Sequence, residues 1–126
     1  MNSKNILSVV GIIALIEGIG FYLGAEAITK SAFKELTGNA LEIGTLMHQV
    51  LGSVIIGFGI LVLLIRNANV ETAKKALNGV GFANVIFLAV GLKHLFTSQA
   101  QPPFPALALM VIIAGVSFFT AYKTTA

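Results

Sequence analysis

Four apolar runs, each about as long as a bilayer's hydrocarbon core is thick, dominate this chain. A helix needs about 20 apolar residues to cross that core. Ile6–Gly24 supplies one run, Gly44–Ile65 a second, Ala76–Phe96 a third and Phe104–Tyr122 a fourth. The last is entered through Pro102-Pro103-Phe104-Pro105. Proline suits a helix start, where its missing N–H would have had no partner. The runs are continuous and lack the period-two alternation of a barrel strand. The expected fold is all-α, an integral membrane four-helix bundle forming a single four-span domain over residues 1–126.

Composition agrees. Of 126 residues, 56% are hydrophobic and 10% charged, against about 25% charged in soluble domains. A soluble chain this short could not bury so much apolar surface. The lipid bilayer is therefore the first partner. Without cysteine there is no disulfide and no thiolate chemistry. The net charge of +3 comes from scattered basic residues without interleaved aromatics, so nucleic acid is not an expected partner. No nucleophile–base pair, phosphate loop or nucleotide fingerprint is present, and the chain is not expected to be an enzyme. Lys4 and the run after it have the form of a signal sequence, with Ala25-Glu26-Ala27 as a small-x-small site. The length of that run and the glutamate inside it favour a retained helix.

Four spans put both termini on the side of the loop Arg66–Lys75. That side carries Lys4, Arg66, Lys74, Lys75 and Lys123; the other carries Lys30, Lys34 and Lys93. The asymmetry predicts an inner-membrane protein with both termini cytoplasmic. In the long outer loop Ala25–Ile43, Ile28, Ala32 and Leu36 fall near one helical face. They predict a short interfacial helix ended by Gly38-Asn39.

Helices in lipid associate through small residues. Gly20, Gly24 and Ala14 share a face with Glu17. On the second span His48, Gly52, Ile55 and Gly59 form one stripe, with Ser53 and Gly57 beside it. On the third, His94 shares a face with Ala83, Phe87 and Val90, next to Gly91. Gly20, Gly24, Gly52, Gly57, Gly59 and Gly91 are thus the expected packing glycines, and Asn84 is expected to bond a neighbouring helix.

Glu17 is a carboxylate within the first run, and such residues face a partner, a cavity or a pathway. It reads either as hydrogen-bonded packing glue or as a proton and substrate site. His48 and His94 fall early in the second span and late in the third, hence near the outer surface. They read as interfacial residues or as two axial ligands to a haem. A metal site built from Glu17, His48 and His94 has no HxxxH or ExxH spacing behind it, so no metal is expected and no cofactor is firm.

From His48 onward the chain resembles the small four-helix DoxX-like membrane proteins. The residues that carry the likeness are Leu51-Gly52-Ser53-Val54-Ile55-Ile56-Gly57-Phe58-Gly59-Ile60-Leu61, Arg66 with its basic loop, Gly79-Val80-Gly81, and the outer loop with Phe33 and Gly38. This resemblance implies a four-helix membrane fold and, for some members, association with redox or quinone-linked complexes; no catalytic residue carries over. Through Glu17 alone, the first span is similar to that of the small multidrug resistance transporters. They work as dimers, and their acidic residue binds protons and cations. The readings that follow are an accessory or self-associating subunit of a membrane assembly, a proton-coupled transporter using Glu17, and a haem or quinone protein using His48 and His94.

Overall fold

The structure, a computed structural model, describes residues 2–97 and 104–124. The regular structure among them is helical: α1 Ser3–Leu23, α2 Ala25–Ala32, α3 Gly38–Ile65, α4 Val70–Thr97 and α5 Phe104–Lys123. Four of these helices, all but α2, are long and apolar enough to cross a membrane. The chain is an all-α, multi-pass membrane protein, with one short helix between its first two spans.

Helix boundaries follow local chemistry more than hydropathy. Expected at Ala76, the third span begins at Val70. Asn69 is the cause: its side-chain Oδ1 accepts from the Thr72 N–H at 2.9 Å, which satisfies an orphan donor of the first turn. The loop expected over Arg66–Lys75 is correspondingly short, and Lys75 is already helical, paired with Glu71 at 2.6 Å. Expected at Gly44, the second span begins at Gly38. Gly38 has φ +56°, a conformation that favours glycine. It does not end the loop helix but turns the chain into α3.

The loop helix also differs from expectation. It ends at Ala32, and its buried face is Ala25 and Thr29, whereas Ala32 and Phe33 are exposed. The apolar pattern of Ile28, Ala32 and Leu36 needs a helix continuing to residue 36, and none forms. Gly24 explains the face that wins. It joins α1 to α2 at φ −88°, ψ 6°, and its N–H donates to Gly20 O at 2.8 Å. The first turn of α2 therefore follows α1 directly and packs through small residues.

The chain divides into two compact units, Gly11–Leu61 and Met1–Val10 with Val62–Ala126. In the first, α1 and α3 run antiparallel in very close contact. A Cβ on Gly52 would lie 2.7 Å from Gly18 O, and one on Gly59 would lie 2.9 Å from Gly11 O. Such contacts need bare backbone on both helices. Gly20 and Gly57, which the sequence assigned to packing, have nothing within 4 Å of a would-be Cβ; within the chain Gly18 takes the role instead. In the second unit, α4 and α5 form an antiparallel pair. Gly81 sits against the Phe118 ring and Gly91 against Leu107, and Phe118 meets Phe82 edge-on at 5.1 Å. Leu7, Val62, Leu77 and Val80 are buried there with Ala114 and Ala121. Asn84 bonds its own helix, donating to Val80 O at 2.9 Å, and not a neighbour as expected. The back-bond to the carbonyl four residues earlier satisfies one N–H of its amide within the helix.

A candidate polar centre around His48

Two polar side chains of the first unit, Thr29 and His48, meet where α2 packs on α3. Thr29 on α2 is fully buried. Its approach is possible because α3 has no side chain at Gly44: a Cβ there would lie 2.7 Å from Thr29 Cγ2. One turn on, His48 points into the same junction, and Phe21 of α1 stacks on its ring at 6.2 Å between centroids and 19° between planes.

The hydrogen bonds fix the form of the imidazole. Thr29 Oγ1 donates its one proton to Ala25 O at 2.8 Å, so towards His48 it is an acceptor. It lies 2.9 Å from His48 Nδ1. Gly44 O, also an acceptor, lies 2.9 Å from the same nitrogen. Both contacts need a proton on Nδ1, shared in a three-centre bond. In the neutral ring Nε2 then carries the lone pair. His48 thus holds α2 through one nitrogen and keeps the other as a proton acceptor or metal ligand.

Glu17 stands one helical turn before Phe21, at the border between the buried Ala14–Gly18 side of α1 and an open side bearing Ile16 and Gly20. Among the described residues its carboxyl makes no hydrogen bond or ion pair. His94 belongs to α4, but its side chain lies outside the described residues, and with it the haem pairing expected from sequence. Among the described residues no three His, Cys, Asp or Glu side chains are grouped to hold a metal ion.

Thr29 and Gly44 do not figure among the sequence candidates, although a signal exists. Gly44, His48, Gly52 and Gly59 follow one another at spacings of four, four and seven, a continuous stripe on one helix face. Thr29, the polar residue at the centre of a short amphipathic segment, is its natural partner. No family model, curated protein or solved structure matches the chain.

Proposed function

We propose that this small integral membrane protein acts by association, as a self-associating or accessory subunit of a membrane assembly, and not as an enzyme. One observation carries this reading. Glu17 lies within a membrane span, and no described residue of its own chain satisfies it. Carboxyls at that depth are costly unless partnered. Beside it Gly20 is open, flanked by exposed Ile16 and Leu23, and bare backbone of this kind admits another helix. A neighbouring subunit packed over Gly20 brings Glu17 a hydrogen-bond partner. The mass of the protein–detergent complex tests it: more than one copy, falling to one in Gly20→Leu, is expected. The excess of Lys and Arg on one side supports an inner-membrane location with both termini cytoplasmic, and reporter fusions at the C-terminus test that.

The same unpartnered carboxyl supports a second reading, proton-coupled transport of a lipophilic cation. Proton release when such a cation is added to purified protein, abolished by Glu17→Gln, distinguishes it from association alone.

A further inference from the structure

A groove of about 430 Å³ opens between α2 and the first turns of α3, lined by Glu26, Leu41, Glu42, Thr45, Leu46 and Gln49 with Gly38 at its end. We propose that it seats the headgroup of an aminophospholipid, with the primary ammonium against Glu42 and Glu26 and an acyl chain running down α3. Four observations meet there.

The first is position. A helix of 28 residues rises about 42 Å, longer than a hydrocarbon core of about 30 Å. The closing turns, residues 54–65, are uninterrupted apolar residues whereas the opening turns carry Asn39 and Glu42, so the excess falls on the opening turns, at headgroup level.

The second is charge. Glu42 is exposed and has no ion-pair partner among the described residues. Thr45 and Gln49 follow it at spacings of three and four, so acid, hydroxyl and amide line one wall of the groove.

The third is the match to a primary ammonium. Across the groove Glu26 Oε1 accepts from Lys30 Nζ at 2.5 Å. Lys30 stands one turn along α2 and outside the groove's lining, and Glu26 keeps its second oxygen as an acceptor for the ammonium. A primary ammonium offers three N–H donors to the carboxylates and a choline none. An anionic headgroup without an amine would meet Glu42 with like charge.

The fourth is the continuation below. Leu46, Val50 and Val54 are 59%, 56% and 64% exposed at intervals of four residues, an open aliphatic track leading from the groove.

The test uses the full chain in mild detergent with an equimolar mixture of phosphatidylethanolamine, phosphatidylcholine and phosphatidylglycerol of matched acyl chains, and native mass spectrometry to count retained lipid. Phosphatidylethanolamine is expected to be enriched about five- to tenfold over each of the others, the factor of a charge-assisted hydrogen bond at a partly wet site. Glu42→Gln is expected to bring the three towards parity with helicity unchanged. Equal retention of all three by the unaltered protein, enrichment of phosphatidylglycerol, or a preference that survives both Glu42→Gln and Glu26→Gln overturns the proposal. The comparison in the unaltered protein decides on its own if a variant does not fold.

Discussion

Gly18 and Gly52 lie back to back: a Cβ on Gly18 would sit 2.8 Å from Gly52 O, and one on Gly52 would sit 2.7 Å from Gly18 O. The obstacle on each side is backbone, which cannot rotate away as a side chain would. The reciprocity makes this pair the tightest constraint on how α1 and α3 meet.

Gly52→Ala should therefore cost about 1–3 kcal/mol through overpacking, and Gly18→Ala a similar amount. The double variant should cost less than the sum, because the first Cβ already forces the helices apart. Gly57→Ala, at a position with open space around it, should be close to neutral for the fold. Unfolding of purified protein by a strong detergent, followed by circular dichroism, measures all four. Equal losses at Gly52 and Gly57 would show that close approach is not what Gly52 provides.

These glycines also show what the sequence conveys. The four spans were legible because crossing lipid demands length and apolarity, which composition records directly. Which face of a span packs was only half legible. Gly52 and Gly59 come close to the backbone of α1, but the pattern around Glu17 points to Gly20 and not to Gly18, because Glu17 stands at the edge of the buried side and not at its centre. His48 was singled out as titratable, yet its partners Thr29 and Gly44 depend on where α2 begins. That start is set by the Gly24 joint, a backbone feature with no hydropathy signal.

The clamp at His48 separates two roles of one ring. His48→Ala removes the donor to Thr29 Oγ1 and Gly44 O and should cost about 1 kcal/mol, loosening α2. His48→Asn offers an N–H close to the position of Nδ1 and should keep most of that stability while losing Nε2. Tryptic cleavage after Lys30 and Lys34 should accelerate in the alanine variant and not in the asparagine variant. The same rate in both would leave the Nδ1 bonds without a structural role.

Ser117 and Thr120 on α5 are fully buried, and their hydroxyls have no hydrogen-bond partner among the described residues. An unsatisfied buried hydroxyl costs about 1–3 kcal/mol. Ser117→Ala should thus leave stability unchanged or raise it by about 1 kcal/mol, and Thr120→Val should behave alike. A loss comparable to that from Gly52→Ala would mean that these hydroxyls hold something in the folded protein.

Lys30 holds the Glu26 carboxyl below the usual carboxylate range, first through its hydrogen bond and then through its charge. The folded pKa is the lower one. The stabilisation is therefore present above the ordinary value of about 4.3 and is lost as pH falls through the lowered value. The pair is exposed, so the effect is small and screened by salt. Hydrogen exchange of the α2 amides should quicken, relative to its intrinsic pH dependence, only on the acid side of that range. Glu26→Gln should remove the change. An acid-side change that persists in Glu26→Gln would place its origin elsewhere.

The central claim is that the open face of α1 beside Glu17 meets a second subunit. The chain has no cysteine, so a single introduced one reports without ambiguity. Ile16→Cys, 67% exposed on that face as isoleucine, should form a disulfide-linked dimer on mild oxidation in native membranes, and adding Gly20→Leu should abolish it. Monomer alone from Ile16→Cys, with no crosslink to itself or to any other membrane protein, would contradict the account.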